Sequence, residues 1–176
     1  MNFTQFNEEV LYSSEAITRV SREDIEFLKE KAASNRRRRV RLCCHKDIAQ
    51  AIHEMLIVHM QGAYVRPHKH PGKSESFHII EGRLKVIIFD DAGDISEVID
   101  MAAFDSGEKF YYRLCDARFH TVIPESEFAV FHEVTNGPFR KEDAVFAGWA
   151  PAEDDSAGQK KYLDELNKRL KKHILH

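Results

Sequence analysis

The sequence has few of the residues that build cross-linked or membrane-spanning proteins. Its 176 residues include only three cysteines and one tryptophan. Cys43 and Cys44 are adjacent and no CxxC spacing occurs, which disfavours a disulfide framework and a structural zinc site. No apolar run approaches the roughly 20 residues of a membrane-spanning helix, and the first residues lack the basic and apolar regions of a signal peptide. We therefore expect a cytoplasmic protein that does not bind membranes.

The composition is that of a single globular domain. Apolar residues make up 43% of the chain, charged residues 31%, and the net charge is −3, so no general affinity for nucleic acid is expected. Four consecutive arginines, Arg36 to Arg39, could form an anion or nucleic-acid patch. The acidic balance favours the alternative, a solvated linker that leads into a strand.

Short strands separated by turns dominate the middle of the chain. Leu84 to Phe89 is apolar on both faces, and Gly93 provides a turn into the next strand. Further strands are expected at Arg118 to Ile123 and Glu127 to Val134. Regular short strands with turns between them indicate a sandwich or barrel.

Two helices are predicted outside this β region. One begins after the N-cap Ser21, and a C-terminal amphipathic helix begins with a capping box at Ser156 and Gln159. We divide the chain into an N-terminal arm (1–19), a main domain (20–152) and the C-terminal helix (153–176).

One stretch between two glycines, Gly62 and Gly82, combines residues that bind metals. His68 and His70 are two apart, so on a strand they point to the same face. A Pro-Gly turn follows and can bring Glu75 back beside them. The alternative is a polar hairpin with exposed histidines. Two nitrogen donors and one oxygen donor favour a site for one divalent transition metal.

This spacing, Gly-x5-His-x-His-x4-Glu-x6-Gly, resembles the first motif of the cupin superfamily at all five fixed positions. The resemblance implies a mainly β fold, a cupin-type antiparallel β-barrel or jelly roll, here with an N-terminal and a C-terminal helix. It also implies a further metal-binding histidine from a second motif. His120 has the right order and strand context, although Cys115, Ala117 and Pro124 replace that motif's proline, glycine and asparagine. Fe, Mn, Ni and Zn all suit such a site, and the sequence does not choose among them.

Three further blocks resemble the WbuC-type cupin-fold metalloproteins. They are Arg38-Arg-Val-Arg-Leu-Cys-Cys-His45, Tyr64-Val-Arg-Pro-His-Lys-His, and Phe131 to Phe139 leading to Phe146-Ala-Gly-Trp-Ala-Pro151. Members of that family often occur among genes for surface-polysaccharide synthesis, which implies a sugar-derived ligand. Cupins commonly dimerise, which implies a homodimer.

Strand alternation suggests which residues bind the ligand. If the strand extends back from His68, Tyr64 and Arg66 share its inner face. Arg66 would then bind an anionic group such as a carboxylate or phosphate. The alternative for Arg66 is a buried ion pair with Glu75 or Glu133.

Glu133 and His132 are candidates for catalytic proton transfer. Adjacent strand residues face opposite sides, so only one of them faces the cavity, and the sequence leaves open which. The preferred function is a metal-dependent isomerase, epimerase or lyase acting on an anionic or sugar-derived small molecule. The alternatives are an Fe(II) dioxygenase and a non-catalytic metal-dependent binding module.

Overall fold

A computed structural model describes residues 1–173 of the chain. Two helices, α1 (Arg22–Ser34) and α2 (Ser156–His173), flank most of the strands. The strands are β1 (Phe3–Gln5), β2 (Val10–Ser13), β3 (Arg39–Cys43), β4 (Ile52–Met60), β5 (His68–Lys69), β6 (Glu75–Glu81), β7 (Arg83–Phe89), β8 (Ile95–Ala102), β9 (Tyr111–Leu114), β10 (Phe119–Pro124), β11 (Phe128–Asn136) and β12 (Val145–Phe146).

The strands form two sheets around one core. The large sheet has the order β1-β2-β3-β4-β11-β6-β9, and the small sheet has the order β12-β5-β10-β7-β8. Neighbouring strands are antiparallel except for the parallel pair β2 and β3. Apolar side chains from both sheets, including Phe77, Phe131, Val86 and Val122, meet in the central cluster. The predicted mainly β fold, with one helix before and one after most of the strands, is confirmed.

Helix α1 covers part of the outer face of the large sheet. Its N-terminus is held by a reciprocal capping box between Ser21 and Asp24. Ile25, Leu28 and Ala32 form its buried face. They pack against outward-facing sheet residues, among them Leu42, Val58 and Val130. The outer face is therefore apolar where the helix lies on it.

Helix α2 packs against the small sheet. Leu166 and Leu170 are buried in a cluster with Ile87 and Phe119. The predicted capping box at Ser156 is wrong, because the residue that caps the helix is Asp155, whose Oδ1 accepts from the Gly158 amide at 2.9 Å. Residues 174–176, the end of the predicted helical segment, lie outside the described residues. None of the helices in the described part of the chain combines the length and apolarity that a membrane crossing requires.

The segment predicted as an arm is part of the large sheet. β1 and β2 lie at its edge, and Val10 and Leu11 are buried. Glu9 binds two of the consecutive arginines, at 3.1 Å from Arg37 and 2.9 Å from Arg39. The arginine run therefore ties the N-terminal strands to the sheet.

Gly82 joins β6 to β7 at a point where no side chain fits. Its φ is +80°, which strongly favours glycine. A Cβ atom there would lie 2.1 Å from the Phe128 carbonyl oxygen. This glycine lets β6 and β7 enter different sheets, so that residues at the start of β6 face the small sheet across the core.

Candidate metal centre

Three histidines from the small sheet and the loop beside it lie close together. His68 on β5 and His120 on β10 are direct cross-strand partners. His70 follows β5 immediately. One ring nitrogen from each histidine can be chosen so that all three lie within 4.8 Å of one another. Three nitrogen donors at this spacing can bind a single metal ion.

Backbone carbonyl groups orient all three imidazole rings. The Nδ1 atom of His68 lies 2.8 Å from the Arg66 carbonyl oxygen, and that of His120 lies 3.0 Å from the Arg118 carbonyl oxygen. His70 Nδ1 lies 3.4 Å from the carbonyl oxygen of Asp143. A carbonyl oxygen can only accept, so Nδ1 donates in each case. In the neutral rings, Nε2 then carries the free lone pair that a metal needs.

Glu75 completes the cluster from the opposite sheet. It is the first residue of β6 and only 5% exposed. Its Oε1 atom lies 2.8 Å from His120 Nε2, and its Oε2 atom lies 3.8 Å from His70 Nε2. The predicted return of the chain after the Pro-Gly turn therefore places this carboxylate against the imidazoles.

The electrostatics of these groups are strongly coupled. Burial and the neighbouring imidazoles lower the pKa of His68 to about 3. Burial alone would raise the pKa of Glu75 and lower that of His120, but their mutual attraction prevails. The pKa of Glu75 is consequently lowered and that of His120 raised.

The donor set fits a divalent transition metal. Within residues 1–173, Glu75 Oε1 and His120 Nε2 are buried and neither makes a properly aligned hydrogen bond. Buried polar atoms without a partner are costly. A cation between the carboxylate and the three Nε2 atoms would satisfy them together. Three nitrogen ligands and one oxygen ligand also suit the chemistry of Fe, Mn, Ni and Zn.

Tyr64 and Arg66 do not face the cluster as predicted. Residues 64–67 form no strand, so side-chain alternation does not extend back from His68. The hydroxyl of Tyr64 donates to the Pro151 carbonyl at 2.8 Å, and its ring packs against Tyr162 of α2. The intervening Val65 packs against the central core instead.

Arg66 also points toward the segment before α2. Its guanidinium donates to the Ala147 carbonyl at 2.9 Å and lies over the Phe146 ring at 5.4 Å. Within residues 1–173 it makes no ion pair with Glu75 or Glu133. Its Nε atom is buried without a hydrogen-bond partner among these residues, and its role in anion binding stays a prediction.

The register of β11 resolves the choice between Glu133 and His132. Glu133 lies opposite Met55 and Phe77, whose side chains are in the central core. It therefore faces the interior, and His132 faces the opposite side. Burial and the nearby Glu75 carboxylate raise the pKa of Glu133 to about 8.

Residues 141–146, which follow β11, lie beside the histidine cluster and contact it through their backbone. The Asp143 carbonyl accepts from His70, and the Asp143 carboxylate binds Lys73 at 2.7 Å. Strand β12 pairs with β5, with Phe146 opposite His68. Sequence reasoning missed this role, because a backbone carbonyl leaves no signature in residue type.

The sequence comparison gives one partial match. Residues 20–101 match the model of a domain of unknown function, DUF6016. This range includes His68, His70 and Glu75 but ends before His120 and Glu133. No curated protein matches the sequence.

Comparison with solved structures finds limited similarities. A structural-genomics target protein from Shewanella oneidensis aligns at 10% identity and a TM-score of 0.47, over 58% of this chain and 66% of its own. Lactobacillus farciminis oxalate decarboxylase in its formate complex aligns at 21% identity and a TM-score of 0.44, over 56% of this chain and 27% of its own. The cupin domain of Schizosaccharomyces pombe Cnp3 aligns at 12% identity and a TM-score of 0.43, over 56% of this chain and 64% of its own. The chain thus spans about a quarter of the decarboxylase, and these likenesses are too distant to assign an activity.

Proposed function

We propose that the protein is a metal-dependent enzyme of the isomerase, epimerase or lyase class. The observation that carries the proposal is the convergence of three imidazoles, each held by a backbone carbonyl, beside the buried carboxylate of Glu75. Structural histidines in a core do not need a shared orientation of their free nitrogen atoms. A metal site does.

His68, His70, His120 and Glu75 would hold one divalent metal. When bound, such a cation acts as a Lewis acid that polarises a carbonyl or hydroxyl oxygen. The chain contributes rigidity to this centre, because His68 and His120 are fixed on paired strands and their rings are fixed by hydrogen bonds.

Glu133 would move the proton. It faces the interior, and its raised pKa leaves the carboxyl group protonated in a substantial fraction of molecules near neutral pH. A carboxyl group with a pKa near the working pH can both donate and accept a proton. His132 is on the other face of β11, so Glu133 is the residue that we propose for catalysis.

The proposed substrate is a sugar-derived or other anionic small molecule. Support comes from the resemblance to the WbuC-type proteins and their association with surface-polysaccharide synthesis.

We also propose a cytoplasmic homodimer. The apolar stripe of α2 is buried within the chain, whereas exposed Ile80, Phe104 and Tyr111 offer apolar area for a contact between copies.

Metal analysis of the purified protein tests the proposal. We expect about one Fe, Mn, Ni or Zn per chain by element-resolved mass spectrometry. His68→Ala and His120→Ala should lose most of it, whereas His132→Ala, a matched histidine on the same sandwich, should keep it. A wild-type protein that binds none of these metals would refute the metal centre.

The same donor set also suits an Fe(II) dioxygenase. Oxygen uptake that requires ferrous iron would favour this alternative over an isomerase, epimerase or lyase. Ligand binding without turnover of nucleotide sugars or keto acids would favour a binding module.

A further inference from the structure

The segment of residues 138–146, which follows β11 and ends in β12, contains no buried residue. Both of its ends are firmly attached. Gly137 donates its amide to the Ala51 carbonyl at 2.9 Å, and the buried Ala147 donates to the Pro67 carbonyl at 2.8 Å. None of the three apolar clusters in the described part of the chain includes a residue of this segment. A segment with so little apolar packing opens at a lower free energy than the sheets do.

This segment lies on the side of the metal centre that solvent reaches. The side chain of His70 is 24% exposed, whereas that of Glu75 on the opposite sheet is 5% exposed. The segment contacts His70 through the Asp143 carbonyl. It contacts His68 through Phe146, whose ring centroid lies 6.0 Å from that of the imidazole. Movement of the segment would therefore uncover two of the three imidazoles.

Lys73 ties this segment to the loop between β5 and β6. Its side chain is only 15% exposed, although it carries a charge. The ammonium group binds the Asp143 carboxylate at 2.7 Å and donates to the Pro138 carbonyl at 2.6 Å. One side chain therefore fixes two points of the segment to the loop that begins with His70.

The segment makes its other contacts mostly through its backbone. Phe139 donates its amide to the Ile48 carbonyl at 2.8 Å, and β12 pairs with β5 through two residue pairs. The Phe146 ring lies under the Arg66 guanidinium at 5.4 Å but is still 47% exposed, as is Phe139. Loss of the Lys73 contacts would thus remove a substantial part of what holds the segment down.

We infer that residues 138–146 form a lid over the metal centre and that Lys73 holds this lid closed. Lys73 acts through Asp143 and not on the metal, so it is a positioning residue. In the closed state the Asp143 carbonyl orients the His70 ring, and in the open state metal and substrate pass beside that ring. A lid of this kind limits the rate of exchange with solvent. The inference rests on the proposed metal centre and adds the control of access to it.

Metal exchange kinetics test this role. Zinc release from the loaded protein is followed after mixing with excess EDTA, and zinc binding after mixing metal-free protein with zinc. Loss of a positive charge beside a cation should by itself slow its release, whereas loss of a contact that closes the lid should speed it. We expect Lys73→Met to release and to bind zinc about fivefold faster or more. Lys73→Arg keeps the charge and should change both rates less.

Lys69→Met is the matched control. Lys69 lies between His68 and His70, and its ammonium binds Asp91 of the turn between β7 and β8 at 2.8 Å, away from the lid. This variant loses the same charge beside the same ligands, so zinc release should be slower or within about twofold of wild type. If Lys73→Met does not fold by circular dichroism, Asp143→Asn breaks the same ion pair from the lid. Asp143→Asn should then release zinc about fivefold faster than its own control, Asp91→Asn.

Hydrogen exchange gives a reading that does not depend on metal. The amides of residues 138–146 should exchange faster in Lys73→Met than in wild type, with exchange in the sheets unchanged. Unchanged or slower zinc release in Lys73→Met at full zinc content would overturn the lid. Faster release with slower binding would also overturn it, because that pattern indicates a damaged ligand set. Wild-type protein that binds no zinc or other transition metal would refute the proposed function, and the lid with it.

Discussion

Metal binding should stabilise the folded protein by a measurable amount. The proposed ligands come from two parts of the chain, since His68, His70 and Glu75 lie between residues 68 and 75 and His120 follows His68 by 52 residues. An unfolded chain does not gather such groups, so the metal binds the folded state preferentially. At a free metal concentration of 100 times the dissociation constant, the free energy of unfolding rises by about 2.7 kcal/mol. For a chain of this size, this corresponds to an increase in Tm of about 5–11 °C.

The assay is thermal unfolding after treatment with a chelator, with and without added Zn, Mn, Ni or Fe(II). His120→Ala is the informative variant, because this ring is only 2% exposed and its Nε2 lies 2.8 Å from Glu75. Its metal-free Tm can differ from wild type, so the quantity to compare is the shift on adding metal. We expect that shift to fall to less than about a third of the wild-type value. An unaltered shift in the variant, or no shift in wild type with any of the four metals, would contradict the site described above.

Three further predictions concern single substitutions. Glu133→Gln should reduce turnover of any identified substrate by about 100-fold or more while metal content stays at the wild-type level; equal turnover would remove Glu133 from catalysis. Gly82→Ala should lower the free energy of unfolding in urea by about 2 kcal/mol or more, because the new Cβ would meet the Phe128 carbonyl; a loss under about 0.5 kcal/mol would show that the turn relaxes. Asp155→Ala should cost about 1 kcal/mol in the same assay and Ser156→Ala less, because Asp155 accepts the N-terminal amide bond of α2; the reverse order would restore Ser156 as the cap.

The sequence by itself determined that three of the candidate metal ligands lie close together. His68, His70 and Glu75 follow from local rules, namely alternation, a Pro-Gly turn and fixed spacing. Gly62 and Gly82, which lie on either side of these residues, complete the motif that resembles the cupin superfamily. Gly82 is also the residue at which the chain passes from one sheet to the other. Helix α1 could also be predicted from local sequence, because Ser21 defines its start and the spacing of Ile25, Leu28 and Ala32 defines its buried face.

The structure decided which way the remaining side chains point. If the alternation of side chains continued back from His68, Tyr64 and Arg66 would point into the interior. Residues 64–67 are not a strand, however, and both side chains contact the segment before α2. Glu133 and His132 were indistinguishable until the register of β11 against β4 and β6 fixed the inner face.

Arg41 shows most clearly what a sequence leaves undetermined. In the sequence it follows a run of arginines and resembles them in type and surroundings. In the fold, Arg37 and Arg39 pair with Glu9 from a distant part of the chain, whereas Arg41 lies opposite Val10 and Ile57 of the central core and makes no ion pair within residues 1–173. Spacing along the chain specifies local geometry, because backbone periodicity is short-range. Which charges find partners depends on strand pairing between distant segments, and only the tertiary structure supplies it.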